Sequence, residues 1–261
     1  MLALGGAVWF SRAGAFFSDP NQLGTFMSIA LVMAFAMLVR ETSKRAAVME
    51  ACAIGVTGLA LVASASRTAW VGAAIGIVVV LLTAPAKRRK GVWIAAVSVG
   101  LAGVLFASPM LIERAVSSGD VNKDRSVATR VYMTQSTLAM IKDNPIWGTG
   151  LDAYPALYPA YRLPGSSPTI VELHQLPLAL PVEMGLAGML AEAVLVFSFI
   201  ALYWRRRPEG WTVWEAATLA ALLTVLVQTM FQYYLYFEYL WLVVALAVVA
   251  RRLATATEEE A

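Results

Sequence analysis

Seven long apolar blocks, cut by short clusters of positive charge, constrain this chain more than any other feature of its sequence. The blocks span residues 23–39, 46–63, 68–84, 91–107, 176–204, 212–232 and 234–250. A helix rises about 1.5 Å per residue, and ~20 residues make one bilayer crossing, so each block is long enough to span or nearly so. Block 176–204 has length to spare for tilt or for an extension past the membrane surface. A transmembrane barrel would instead alternate over segments of ~10 residues, a pattern the chain lacks. Composition agrees: 59% of residues are hydrophobic and 14% charged, against ~25% charged in soluble domains. The expected class is therefore an all-α, polytopic membrane protein with about seven spans.

The charges orient it. Arg40, Lys44 and Arg45 separate the first two blocks, and Lys87, Arg88, Arg89 and Lys90 the third and fourth. Arg205, Arg206 and Arg207 follow the fifth block, and Arg251 and Arg252 the last. These are 12 of the 20 Lys and Arg, and the positive-inside rule puts their connections in the cytoplasm. Residues 1–22, the turn at 64–67, the stretch 108–175 and the turn at 232–234 then fall outside. The net charge of +3 is accounted for by topology and does not imply nucleic acid. The single cysteine, Cys52, cannot form an internal disulfide and reads as a small buried hydrophobe.

Three regions follow: 1–107, an outer N-terminal segment with four transmembrane helices; 108–175, an extracytoplasmic loop; and 176–261, three transmembrane helices and a cytoplasmic tail. They form one membrane domain. Residues 1–10 have neither the basic region and cleavage site of a signal peptide nor a full span. With the N-terminus outside, the chain reads as the C-terminal part of a longer protein.

The outer loop is the least apolar stretch. Val127, Val131, Leu138 and Ile141 recur at helical spacing and predict a helix over 127–142, stopped by Asp143-Asn144-Pro145. Beyond Trp147-Gly148-Thr149-Gly150, turn signals predict irregular chain up to Pro168. Trp147, Tyr154, Tyr158 and Tyr161 suit a cap lying at the membrane interface. Gly72 and Gly76 form a GxxxG pair of the kind that packs membrane helices closely.

Arg67, Arg130 and His174 stand out because this topology brings all three to one face. Each has a plainer reading: Arg67 snorkelling to headgroups, Arg130 solvated, and His174 hydrogen-bonded as a structural residue. Together they could act. Two guanidiniums match the oxygens of a diphosphate and stay charged at any working pH. A neutral imidazole can take a proton from an acceptor hydroxyl near pH 7. Glu183, inside a span, is either functional or bonded to a neighbouring helix. Arg12 adds positive charge to the outer face. Glu192 and Glu238 read as bundle-facing or interfacial, and residues 258–260 as a solvated tail. The sequence has no P-loop, no GxGxxG and no cysteine–histidine metal cluster, so no cofactor or metal is expected.

In order along the chain, the motifs resemble those of the O-antigen ligase and O-antigen polymerase superfamily of bacterial membrane glycosyltransferases. The resemblance begins at Arg12-Ala13-Gly14 and Asp19-Pro20-Asn21. It continues at Ser64-Ala65-Ser66-Arg67-Thr68-Ala69-Trp70, like the family's serine–arginine motif, and at Thr129-Arg130. It then takes in Asn144-Pro145-Ile146-Trp147-Gly148-Thr149-Gly150, like P-x-x-G-x-G. It closes at His174-Gln175 and at Glu183-Met184-Gly185-Leu186-Ala187-Gly188, like E-x-G-x-x-G. Where the family usually has Asn after the histidine, Gln175 retains an amide.

The resemblance implies a GT-C-like membrane fold and metal-independent transfer of a glycan from an undecaprenyl-diphosphate carrier at the periplasmic face of the inner membrane. The acceptor would be lipid A-core, another glycan or a protein, through a hydroxyl or amide. Arg67 and Arg130 would bind the diphosphate, and His174 would activate the acceptor. Two other readings remain: a transporter or flippase for a lipid-linked or anionic solute, which would favour midplane polar groups, and a noncatalytic membrane fragment.

Overall fold

The computed structural model describes residues 17, 19–85, 125–164, 166, 173, 176–204, 210–232 and 238–259. Among them every regular element is a helix. We label these α1 (Pro20–Arg40), α2 (Lys44–Ser64), α3 (Arg67–Thr83), α4 (Arg125–Asp143), α5 (Tyr154–Tyr161), α6 (Leu176–Trp204), α7 (Val213–Thr229) and α8 (Glu238–Glu259).

Local chemistry sets the boundaries. The Asp19 carboxylate accepts the Asn21 N–H at 2.9 Å, and Pro20 occupies the first turn of α1. Glu41 turns the chain into α2 by accepting the N–H groups of Thr42 at 2.8 Å and Ser43 at 2.7 Å. A reciprocal Thr212–Glu215 capping box opens α7.

Among the described residues, four helices are long and apolar enough to cross a membrane: Pro20–Arg40, Lys44–Ser64, Pro177–Tyr203 and Glu238–Ala256. The blocks 68–84 and 212–232 form shorter apolar helices, α3 and α7, of 17 residues each. Block 91–107 lies outside the described residues. The last block runs on past its expected end: within the described residues α8 covers Glu238–Glu259 and so includes Arg251 and Arg252, which the charge pattern places in a connection.

At the centre, α1 packs against α2, α3 and α7, and α7 packs in turn against α3 and α8. Gly72 and Gly76 make the α3–α7 approach possible. A Cβ on Gly76 would collide with Thr224 Oγ1 and lie 2.8 Å from Val32 Cγ2; one on Gly72 would lie 2.6 Å from Gln228 Nε2. The missing side chains also let Thr224 Oγ1 donate to the Gly72 carbonyl at 3.1 Å.

Several polar groups buried here find their partners within the bundle, where a dry environment makes an unmade bond costly. Thr25 Oγ1 donates to Gln228 Oε1 at 2.6 Å, and Gln228 Nε2 donates to Ser28 Oγ and to the Thr224 carbonyl, each at 3.0 Å. At the opposite end of the bundle, the Arg40 guanidinium donates to the Thr83 carbonyl. There too, Arg251 forms an ion pair with the fully buried Glu215 and donates through Nε to the Leu202 carbonyl at 2.9 Å. Arg251 also lies over the Tyr203 ring, 5.7 Å from its centroid, and the Tyr203 hydroxyl is 2.8 Å from Thr218 Oγ1. This cluster ties α6, α7 and α8 together. Arg251 is thus a buried structural residue, because a helix that runs two turns past the expected boundary carries it inward. The helix ends meet in two groups: Arg40 with Thr83 at one end, Thr25 with Gln228 at the other.

α2 packs on α1 with one face only and presents Val48, Met49, Val56 and Leu59 outward. Cys52 is exposed on this helix, not buried as its apolar setting suggested. An apolar run does not distinguish a face toward lipid from a face toward protein.

Gly76→Ala should therefore lower the thermal unfolding midpoint of the detergent-solubilised protein, with a cost of about 1–3 kcal/mol for overpacking. Gly55→Ala, where a Cβ meets nothing within 4 Å, should leave it unchanged or slightly raised. Equal midpoints for the two variants would show that the α3–α7 approach is not close.

Candidate active site

The site is built on a break in a helix. α6 is interrupted at Gly185, whose φ of 58° and ψ of −140° leave the helical region, a conformation glycine adopts without Cβ strain. The break releases carbonyls that a continuous helix would bond to residues four ahead. The segment after α4 takes them. Thr149 N–H donates to the Val182 carbonyl at 2.7 Å, and Gly150 N–H to the Glu183 carbonyl at 3.0 Å. Leu186 N–H donates back to the Pro145 and Ile146 carbonyls, each at 3.1 Å. Thr149 Oγ1 adds a bond to Val182 at 2.9 Å.

Gly148 and Gly185 are required by this contact, while Gly188 is required by the packing of α6 on itself and Gly150 by its backbone conformation. A Cβ on Gly148 (φ +70°) would lie 2.5 Å from the Glu183 carbonyl. One on Gly185 would collide with the Ile146 carbonyl and lie 2.6 Å from Gly148 N. One on Gly188 would collide with the Leu180 carbonyl. Gly150 has room but stands at φ +102°. P-x-x-G-x-G and E-x-G-x-x-G are therefore two halves of one main-chain joint, with Glu183 buried at its centre.

Around the joint, Met133, Met140, Tyr154, Tyr158, Leu173, Ala179 and Val182 form one buried cluster. It draws together α4, α5, the start of α6 and the residue that precedes His174. Thr137 Oγ1 donates to the Tyr154 hydroxyl at 3.3 Å, and the Tyr154 and Tyr158 rings pack with centroids 5.8 Å apart. Burial pushes the Tyr154 phenol above its ordinary pKa, so it stays protonated throughout the physiological range. The Tyr161 phenol is also raised, chiefly because its hydroxyl donates to Asp143 Oδ2 at 3.0 Å.

α5 corrects the expectation of irregular chain beyond Gly150. Its signals were present: Pro155 in the first turn and Tyr154 and Tyr158 four apart on one face. Tyr154 and Tyr158 are core residues here and not interfacial ones. Trp147 does project, being 85% exposed, with Ile146 and Leu151 exposed beside it.

Arg67 sits at the first position of α3, half-buried. The turn before it is held from several sides. Ala65 adopts a left-handed conformation with φ 50°, Ser66 N–H donates to Ser64 Oγ at 3.3 Å, and the Trp70 indole donates to the Leu61 carbonyl at 3.2 Å. Gly24 allows α1 to press on this turn, since a Cβ there would lie 2.8 Å from Ser64 Oγ. A guanidinium at the positive end of a helix dipole reinforces the attraction for an anion.

Of the five residues singled out from sequence, the structure thus describes Arg67 on its braced turn and Glu183 at the joint. Arg130 is in α4, three residues before the buried Met133, with only its backbone position described. Arg12 and His174 lie outside the described residues. Sequence reasoning missed the Gly185 break, whose one available signal was the excess length of block 176–204. Measured back from Trp204, the 19 residues after Gly185 cover about 28 Å, close to the ~30 Å hydrocarbon core.

Gly185→Ala should undo the joint, since both the φ and the main-chain contact forbid a Cβ. The measurement is limited proteolysis of the membrane-embedded protein between residues 143 and 175. Cleavage there should rise well above wild type in Gly185→Ala, whereas Leu151→Ala, at an exposed position, should leave it unchanged. Wild-type resistance in Gly185→Ala would mean that the joint does not hold the segment.

A family model described as O-antigen ligase matches residues 51–193. The match takes in the Arg67 turn, Arg130, the 144–150 segment, His174 and the Gly185 joint, and leaves out Arg12. No curated protein matches the chain. The family model covers more than half of the 261 residues, and the chain belongs to the O-antigen ligase family.

Proposed function

We propose that this protein transfers a glycan from an undecaprenyl-diphosphate carrier to an acceptor hydroxyl or amide at the extracytoplasmic face of the bacterial cytoplasmic membrane. Family membership supports glycan transfer of the ligase or polymerase kind in general, by a multi-pass membrane protein. The donor, the face and the residue roles are our reading. In it, the 108–175 region caps a bundle of about seven spans with a GT-C-like arrangement, and residues 1–107 and 176–261 supply the spans.

The observation that carries the reading is the joint at Gly185 with its buried cluster. It holds the helix bearing Arg130, the residue before His174 and Glu183 in one packed unit. Arg67 and Arg130 grip the diphosphate, with Arg12 adding positive charge. Glu183 lines the site. His174 takes the proton of the acceptor hydroxyl as its oxygen attacks the anomeric carbon. The bond from that carbon to the diphosphate oxygen breaks, and undecaprenyl diphosphate leaves with its charge held by the arginines. No metal enters this scheme.

The position of the break favours an enzyme over a transporter. Transporters interrupt helices near the midplane, where the freed main chain faces substrate. Here the interruption lies about a full span away from Trp204, and its carbonyls are bonded to residues 145–150.

Complementation tests the proposal. The gene is placed in a bacterium lacking its own surface-glycan ligase or polymerase and supplied with matched donor glycans. Wild type should restore glycan on the lipid or as long chains. His174→Ala should reduce product by roughly 10²–10⁴, the usual worth of a general base, and Arg67→Ala and Arg130→Ala should also lose it at normal membrane levels. Full activity of His174→Ala would remove the base, and no product from wild type would return weight to the transporter.

A further inference from the structure

A groove of about 890 Å3 runs between α6 and α8 at the end of the bundle that bears Arg40 and Arg251. Its walls grade from apolar to charged along the helix axis. Phe197, Ile200 and Val248 line one part, and Arg251, Arg252 and Thr255 the other. The charged part is level with the end of the span, because Arg251 Nε bonds the Leu202 carbonyl. Phe197 lies five residues deeper, about 7 Å along the helix. Phe197 and Ile200 are exposed, so this part of the groove opens to whatever surrounds the bundle at that depth.

The charge of the groove is not that of a simple arginine pair. Arg251 is neutralised by Glu215 and held rigid by Leu202 and Tyr203. Arg252, on the next position of α8, is exposed. The lining therefore carries one net positive charge at its headgroup level and none below.

We propose that the groove is a binding site for one anionic glycerophospholipid, with its phosphate at Arg252 and an acyl chain along Phe197, Ile200 and Val248. One phosphodiester matches one net positive charge, and basic pockets between membrane helices are where anionic headgroups settle. The site is at the opposite end of the bundle from the Gly185 joint and has no part in the chemistry there. Only the leaflet depends on the orientation proposed above: the lipid is taken from the cytoplasmic one. Bound there, it bridges α6 and α8 beside the Glu215–Arg251 pair and reinforces a contact that is otherwise sparse.

Native mass spectrometry of the full chain in detergent tests this, with dioleoyl phosphatidylglycerol, dioleoyl phosphatidylcholine and inorganic phosphate as probes. Wild type should retain one phosphatidylglycerol in preference to phosphatidylcholine, and excess inorganic phosphate should not displace it. Arg252→Gln should weaken retention about fivefold, the effect of one arginine near an anionic surface. Ile200→Trp, which fills the apolar part and leaves the arginines in place, should abolish it. Both positions are exposed, so neither change disturbs the core. Equal retention of the two lipids, or unchanged retention in Arg252→Gln, would reduce the groove to ordinary lipid contact. Displacement by inorganic phosphate, or retention by Ile200→Trp, would make it an anion site with no acyl chain. Glycan transfer is not read in this experiment, so its outcome is separate from that of the complementation assay.

Discussion

Main-chain amides and carbonyls at membrane depth have no water to bond, so a helix can stop there only if another part of the protein accepts its loose ends. The contact of residues 145–150 with residues 182–186 meets that condition. Without it, the carbonyls of Val182 and the buried Glu183 would be left without partners, each costing several kcal/mol where water is excluded. With it, α6 can end one segment and begin another, and residues 145–150 gain a fixed seat. The end of α4 leads directly into this exchange, and Glu183 sits within it. The same rule acts inside the bundle, where Gln228 serves Thr25, Ser28 and the Thr224 carbonyl at once.

The two ends of the bundle use polarity differently. At the Gln228 end the network is neutral, made of hydroxyls and one amide, and it holds α1 against α7 while leaving the adjacent Arg67 turn braced but half-open. At the other end the pair is ionic. Glu215 is enclosed completely and is bonded both to its own helix start and to Arg251. A buried ion pair adds little net stability compared with an apolar alternative, but loss of one partner is costly. Its effect here is geometric: it sets how α8 lies against α6 and α7.

Much of the fold was legible in the sequence because its signals are long-range in composition and short-range in cause. Apolar blocks, capping residues and the charge clusters depend only on a residue and its near neighbours. α4 covers the expected 127–142 and ends at Asp143, one residue beyond the expected end, for that reason. Arg251 did not conform, because whether a terminal arginine is solvated depends on a glutamate 36 positions away in sequence. Cys52 and the tyrosines of α5 failed similarly: an apolar or aromatic residue looks the same in sequence whether it meets lipid, headgroup or core. Of the candidate site, the motifs could be read but their relation could not. Nothing in P-x-x-G-x-G shows that its partner is E-x-G-x-x-G, since the pairing is made by main-chain atoms that every residue has.

That last point has a consequence for variation. A joint made of amides, carbonyls and the absence of Cβ atoms does not register which side chains flank it. Ile146, Trp147 and Leu151 project from the seated segment, and no bond of the joint uses their side chains. Exchanging them alters what the segment offers to its surroundings while the platform beneath stays in register. Such a design separates the part of a protein that must be inherited unchanged from the part on which selection can work.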